Sequence, residues 1–530
     1  MSKAEQSGGY VLVIDLGTGG PKVGLVDHTG RILASAFERT ATLFLPEGGA
    51  EQDANEWWAS ILRTSKRVLA QAAVPVDTIV AVACTSQYST TVPVDHDGEP
   101  LMNAITWMDT RGGPHNQRIT RGFPMIEGYG LARAIRWVRL TGAIPTNSGI
   151  DALGHMLFIK NERPDVYRRT YKFLEPMDYV TMRLTGIAAA TQSTVFPLAL
   201  SDTRQIDGLD YDPKLIAISG IDLDKLPQML PKQSIVGTLL PSVARDLGLS
   251  PKTAVITGAA DVHTSIIGSG AVHDYEGVVV LGSTAFLSCH VPFKKTDLST
   301  FMTTLPSPLH GRYSLLGDLG SSGPRVLDSY LANLVFYGDA LLDQELPQDM
   351  YVRVSLAAEG ITPGSGGVLF LPWFNGTLCP QEDAAMRGGF LNLSHKTTRA
   401  HLTRAVLEGI AYNSRWLMGA AEKFVGRHFP YLRLAGGGAL SDAWAQIMAD
   451  VLNVPIHQQA DPRNGNVLGM ACLAFLRLGR IKLEDIPDMV RIEKVLEPRP
   501  ENRATYDRLF AQFLACQKGL KPVFHALNKA

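Results

Sequence analysis

Apolar residues fall in short runs divided by glycine, proline and polar turns. The first run, residues 11–14, ends at Asp15; the turn LGTGGPK follows, then a second run at 23–26. Two β-branched runs split by Gly and Pro predict a β-hairpin over 10–27. A turn at 28–30 and an extended stretch at 31–37 make the N-terminus an antiparallel meander. The period then changes. Trp58, Ile61, Leu62, Val68 and Leu69 fall near one face of a helix. Strands are predicted at 79–84, 254–257, 278–286 and 432–435. Helices are predicted at 154–168, with Pro164 at a junction, and at 176–184, closed by Thr185-Gly186. Further helices cover 398–424, 465–478, 501–519 and the stretch from Ser441, as cap, to 452.

The run VVVLGSTAF (278–286) repeats the form of VLVIDLGTG near the N-terminus. Each is an apolar strand ending in a small-residue turn before a second extended stretch. A weak repeat of this kind predicts two domains, residues 1–271 and 272–530, each starting with the same hairpin. A nucleotide held between the two hairpins would place its terminal phosphates in the interdomain cleft.

Three stretches carry candidate chemistry. In the first turn, glycines let backbone N–H groups approach a ligand, Thr18 offers a hydroxyl and Lys22 a charge. That set suits phosphate oxygens, with Asp15 for a divalent cation; the alternative is a hairpin turn with an incidental acid. The second stretch, 85–112, follows a strand end, where α/β proteins build sites. Gln87, Tyr88, Ser89, Trp107, Asp109 and Arg111 are candidates there for a polar small molecule, against an exposed turn and a core tryptophan. In the third, Asp261 follows small residues at a strand end and precedes a helix. It reads as a helix N-cap, as a general base, or as both. Strand, GGG at 436–438 and helix would also bring backbone close to a ligand. Neither a Walker A motif nor GxGxxG is present.

Composition narrows the class. The 530 residues are 45% apolar and 19% charged, with 50 basic against 51 acidic side chains. This balance gives no electrostatic case for nucleic acid. No run reaches the length of a membrane span, and the polar N-terminus lacks the apolar core of a signal peptide. Five scattered cysteines without CxxC spacing indicate neither a disulfide framework nor a zinc site. A reduced, cytoplasmic protein is the expectation.

Nine segments in one order resemble the FGGY family of carbohydrate kinases, of the actin-like, ribonuclease-H-like ATPase superfamily. They include DLGTGGPK, EQDANEWW, AITWMDTR, HMLFIKNERPDVY, PMDYVTMRLTG, TGAADVHTS, VVVLGST, and the long segments at 387–412 and 434–456. The resemblance implies an α/β fold of two actin-like domains around a cleft. It implies a kinase that uses ATP and Mg²⁺ on a hydroxyl of a small sugar or polyol, a pentulose such as xylulose first. Carried over by position, Asp261 is the catalytic base and Asp15 organises Mg²⁺. Thr18, Lys22, Ser283, Thr284, Gly437, Gly438 and Asp442 meet ATP. Gln87, Tyr88, Ser89, Trp107 and Asp109, with Asp261, face the substrate. Neither nucleic acid nor a membrane is an expected partner, and a homodimer is a candidate assembly.

Several positions depart from the family pattern. Gly19 and Gly20 stand where hydroxyl residues follow the first-loop threonine. Tyr88-Ser89 replaces the Arg-Glu pair of glycerol kinases, which argues against glycerol, and the Met-His of xylulokinases. The basic residue expected at the start of HMLFIKNE is His155, and NGTLCP follows LPWF. His263 is expected to pack inside its helix. Ribulose or a tetritol stays open as substrate. So do a catalytically weak regulator that binds sugar and nucleotide, and an ATPase driven by a protein partner.

Overall fold

The computed structural model describes residues 9–282, 284–336 and 347–528. The predicted hairpin forms β1 (Tyr10–Gly17) and β2 (Gly20–Asp27), antiparallel, with Asp15 opposite Lys22. It is followed by β3 (Ile32–Phe37), α1 (Ala54–Ala72), β4 (Ile79–Ser86), α2 (Pro176–Thr185), β5 (Ile235–Thr238), β6 (Ala254–Ile256) and α3 (Asp261–Gly268). The first sheet runs β5-β6-β4-β1-β2-β3, with β4 parallel to β1 and to β6.

The second half repeats this plan. Its elements are β7 (Gly277–Leu281), β8 (Ala285–Val291), β9 (Met302–Pro306), β10 (Tyr313–Asp318), α4 (Arg399–Val425), β11 (Leu432–Ala435), α5 (Asp442–Leu452), β12 (Ile456–Gln459), α6 (Gly465–Arg477), β13 (Ile492–Leu496) and α7 (Arg503–Asn528). The sheet runs β9-β10-β8-β7-β11-β12-β13, with a short strand, Thr296–Asp297, beyond β9. In both sheets an antiparallel hairpin holds the centre. A third antiparallel strand lies on one side and two parallel strands on the other. The weak sequence repeat is therefore a repeat of topology, and the two sheets form the two halves of an actin-like fold.

The central strands are apolar throughout because both their faces are covered. Leu12, Ile14 and Leu16 pack with Trp57, Ile61, Met177 and Val180 of α1 and α2. Val11 and Val13, pointing the other way by the period-2 rule, pack with Val467, Met470, Ala471 and Phe475 of α6. A helix late in the chain thus completes the core of the first sheet. In the second half, Val279 and Leu281 face α4 and α5, while Val278 and Val280 join the Leu12 cluster.

Helix ends follow the expected chemistry. Pro164 sits at the first position of a short helix, after the helix Ala152–Glu162 ends. Gly186 ends α2 in the left-handed region, and Ser441 Oγ accepts the Trp444 N–H at the start of α5. The last helix differs from its prediction. It runs on to Asn528 through Pro522, tied at its far end by His525 to Asp383 at 2.8 Å. Among the described residues, no helix is long and apolar enough to cross a membrane.

One crossing positions the site. Helices α3 and α6 touch backbone to backbone: a Cβ on Gly469 would lie 2.0 Å from the Thr264 carbonyl oxygen, and one on Gly268 1.9 Å from that of Gly465. Backbone cannot swing aside as a side chain can, so Gly469→Ala must push the helices apart. Overpacking of this kind costs about 1–3 kcal/mol. The expected result is a lowered midpoint in chemical denaturation together with reduced turnover, since α3 starts at Asp261. Unchanged stability would show that the close crossing does not hold α3.

Candidate active site

Asp15 lies near the turn end of β1, between buried Ile14 and Leu16. It is 6% exposed. Burial raises its pKa, while the Lys22 ammonium, 3.9 Å away, and a hydrogen bond from Asn466 hold it down. Lys22 also donates to the Arg463 carbonyl oxygen at 2.5 Å. Lys22 comes from the hairpin, whereas Arg463 and Asn466 come from the turn and first residues of α6. The α6 crossing therefore stabilises the charge of Asp15.

Asp261 opens α3. Ala260, not Asp261, is the N-cap, so the capping reading is corrected. Asp261 Oδ1 accepts the N–H of Val262 at 2.7 Å, and Oδ2 has no hydrogen-bond partner among the described residues. Burial first, and the charge of Asp15 second, raise the Asp261 pKa to about 7. A carboxyl group so poised can take a proton near neutrality. Its helix is clamped on both sides. Thr264 Oγ1 meets Thr85 Oγ1 of β4 at 2.8 Å, and Ser265 Oγ donates to Asn466 Oδ1 at 2.7 Å.

Beside the pair lies a chain of polar side chains. Trp107 Nε1 donates to Thr18 Oγ1 at 3.0 Å, Thr18 Oγ1 donates to Gln87 Oε1 at 2.9 Å, and Gln87 Nε2 donates to Gln52 Oε1 at 2.9 Å. Gln52 Nε2 donates back to the Thr18 carbonyl at 2.7 Å. The hydroxyl of Thr18 thus lies among the residues expected to face the substrate. Tyr88 donates to the Ser193 carbonyl, and its ring meets the His263 ring edge-on at 6.5 Å. Ser89 takes a left-handed φ of 56° and donates to the Ile150 carbonyl at 2.9 Å.

Asp109 is fully buried, and its oxygens are spent inside the protein. They accept from the Ala50 N–H at 2.9 Å, the Arg111 N–H at 2.9 Å and the Arg111 guanidinium at 2.6 Å. Arg111 in turn meets Glu51 at 2.6 Å and lies over the Phe158 ring. This cluster fixes the loop that carries Trp107. His155 is buried and neutral, its pKa lowered by burial, with Nδ1 3.3 Å from Thr91 Oγ1. His263 is packed as expected, bonded to Ser314 and pushed down to about 3 by burial.

In the second half, the hairpin turn after Leu281 holds Gly282 and Thr284; Ser283 lies outside the described residues. The GGG turn comes alongside. A Cβ on Gly436 would lie 2.5 Å from the Leu281 carbonyl oxygen, and one on Gly438 2.7 Å from Leu281 Cβ, whereas one on Gly437 meets nothing. Asp442 is exposed, paired with Lys494 and bonded by Gln458 at 3.0 Å. Asp318, at the end of β10, is pushed up to about 6 by burial.

Sequence reasoning missed Gln52, Arg463, Asn466 and Asp318. Gln52 stood inside the EQDANEWW motif as an unassigned amide. Asn466 was the polar residue at the start of an otherwise apolar helix. The other two left no local signal.

Family models match here in two consecutive pieces: the N-terminal domain of the FGGY family of carbohydrate kinases over residues 10–268, and its C-terminal domain over 278–478. The chain belongs to this family. It is 27% identical to the xylulose kinase of Staphylococcus epidermidis, over 96% of this chain and 97% of that one. It is also 27% identical to the glycerol kinase of Symbiobacterium thermophilum, over 89% and 90%. The gluconate kinase of Lactobacillus acidophilus superposes with a TM-score of 0.83 at 25% identity, covering 98% of this chain and 99% of that structure. The chain is therefore an ATP-dependent sugar kinase, a phosphotransferase with an alcohol acceptor.

The GGG turn separates two effects. Gly438→Val should lower the melting temperature by forcing Leu281 and Trp444 aside. Gly437→Val should leave stability unchanged and weaken ATP binding, because its side chain enters open space at the turn. Isothermal titration with ATP checks this; equal affinity in Gly437→Val would remove the turn from the nucleotide site.

Proposed function

We propose that this kinase transfers the γ-phosphoryl group of ATP to a hydroxyl of a pentulose such as xylulose, with Asp261 as general base. The observation that carries the assignment is the pairing of two neighbouring carboxylates, Asp15 buried and Asp261 half-buried. Asp261 has a free oxygen and a pKa near neutrality, and Asp15 beside it is already compensated by Lys22 and Asn466. Asp261 takes the proton of the attacking hydroxyl as the new P–O bond forms and ADP leaves. Phosphoryl transfer asks for positioning, charge neutralisation and a base rather than a covalent nucleophile. The Trp107–Thr18–Gln87 chain, with Tyr88 and Ser89, walls the acceptor, and Asp109, bonded to Arg111 and Ala50, fixes the loop that carries Trp107.

On the nucleotide side, Lys22 and the backbone N–H groups at Thr18 to Gly20 contact terminal phosphates. Thr284, on the facing hairpin, and Ser283, by its place in the family motif, are assigned to the same phosphates. Gly437, Gly438 and Asp442 line the body of the nucleotide. The donor set also fits Mg²⁺. Among the described residues no three His, Cys, Asp or Glu side chains gather to hold a metal. A hard cation that keeps its waters and arrives on phosphates needs only one or two carboxylates. Asp15 would hold it, and it would neutralise charge on the transferring group. The substrate reading rests on overall similarity to xylulose kinases and on Tyr88-Ser89, an uncharged pair. A panel of ketoses, aldoses and polyols with ADP release as readout tests it. The strongest response is expected from a pentulose; a strong response to glycerol or gluconate alone would overturn it.

The raised pKa gives two linked outcomes. Activity requires the Asp261 carboxylate, so kcat/KM should fall as pH drops below about 7. Asp261→Asn should lose several orders of magnitude in turnover while still binding substrate. Stability has the opposite sign. The ordinary pKa is 3.8 and the folded value is about 7, so folded protein holds this proton more tightly than unfolded protein. The carboxylate then destabilises the fold progressively from about pH 4 to 7, and fully above that. Asp261→Asn should therefore raise the melting temperature by a few degrees at pH 8 and leave it unchanged near pH 4. Near-normal turnover in this variant, or an equal thermal shift at both pH values, would sink the assignment.

A further inference from the structure

A cavity of about 600 Å³ opens where the two halves of the chain meet, and it shares no lining residue with the site described above. From the first half come Arg139, in the last turn of the helix Leu131–Thr141, and Arg204 with Ile206. From the second half come Phe293, Lys294 and Lys295. Four cations line this mouth and no carboxylate does.

The local ion pairs leave donors over. Asp202 is held by Arg204, whose Nε and one terminal nitrogen meet it at 2.9 and 2.7 Å. Lys294 donates to the carbonyl oxygens of Val138 at 3.0 Å and Arg139 at 3.2 Å, which uses two of its three protons. Burial pulls the Lys294 pKa down, so its ammonium is short of solvation. Lys295 donates to the Phe424 carbonyl at 2.6 Å. The Arg139 guanidinium has no partner among the described residues. Arg139, Arg204 and Lys295 are exposed and Lys294 is half-buried; the Arg204 charge opposes that of Lys294, Asp202 favours it, and an anion in the concave mouth would relieve the remaining repulsion. Half-buried Ile206 and Phe293 add an apolar wall. The volume falls in the range of small-molecule sites.

We propose that this cavity binds a small phosphorylated metabolite, at a site separate from the catalytic cleft. The cavity straddles a seam already stitched by hydrogen bonds. Thr296 and Thr303 hydroxyls donate to the Gly142 carbonyl at 2.9 and 2.8 Å, and the Tyr313 hydroxyl donates to the Thr203 carbonyl at 2.7 Å. A phosphate bridging Arg139 and Arg204 to Lys294 and Lys295 would tie the two halves together at this seam.

The test uses the full chain with ADP at saturation, so that phosphate contacts in the cleft are filled. Inorganic pyrophosphate serves as the probe, followed by isothermal titration and by melting temperature. One saturable site per chain and a raised melting temperature are expected. Affinity should fall by about tenfold or more in Arg139→Glu, as for loss of one charge-assisted contact, and recover largely in Arg139→Lys. Turnover without pyrophosphate should be unchanged in both variants. Absence of saturable binding, or equal affinity in Arg139→Glu, would overturn the proposal. Either readout stands whether or not a pentulose is the substrate.

Discussion

Two carboxylates in one water-poor site constrain much of this structure. Burial raises the cost of ionising both Asp15 and Asp261, and the charge of Asp15 adds to it at Asp261. A site of this kind persists only if other groups compensate one of the two charges. Here the compensation for Asp15 comes from two directions: Lys22 across the hairpin, and Asn466 from a helix far along the chain. The result divides the labour. Asp15 is the supported charge, and Asp261 keeps a free oxygen and a pKa close to working pH, which a proton acceptor needs.

Asn466 reaches Asp15 only because α6 returns to cover the first sheet. That return explains why Val11 and Val13 are as buried as Leu12 and Ile14. It explains too why glycines occur at the crossing with α3, where any side chain would meet backbone. Packing, electrostatics and the placement of Asp261 are thus one arrangement. The crossing sets the angle of α3, α3 begins at Asp261, and the first residues of α6 bond both Asp15 and the hydroxyl of Ser265.

The parts of the fold with local signals were legible from the residues. The hairpin over 10–27 is written in two β-branched runs and a glycine turn. The repeat at 278–286 announced the second sheet, and caps such as Ser441 marked helix starts. The sequence places the last helix at 501–519, whereas it continues through Pro522 to Asn528, where His525 meets Asp383. In the site, Asp15 and Asp261 were legible because an acid at the end of an apolar strand, or after a run of small residues, is out of place. Asn466 and Arg463 were not, because their roles depend on which sheet α6 covers, and its apolar period says only that it is covered. Asp109 shows the reverse limit. Its place after Trp107 in a site loop was visible, but the full use of its oxygens by Arg111 and Ala50 depends on a strand some sixty residues earlier.

The glycine pair after Thr18 can also be divided by geometry. Gly20 is buried with a φ of 126°, and a Cβ there would lie 2.1 Å from the Glu38 carbonyl oxygen. Its absence of side chain therefore answers the close pass of the irregular segment Glu38 to Thr40 just after β3. Gly19 is exposed, and a Cβ there would meet only the edge of Phe37 at 3.9 Å, so the fold does not require a glycine at that position. Thr18, in this turn, uses its hydroxyl on Gln87 and Trp107. A phosphate that orders the turn must then also order Trp107 and Gln87. In this chain the hydroxyl of the first turn is wired to Gln87 and Trp107, and its backbone carbonyl to Gln52, so the glycine turn and the 85–112 segment form one hydrogen-bonded unit rather than two independent loops.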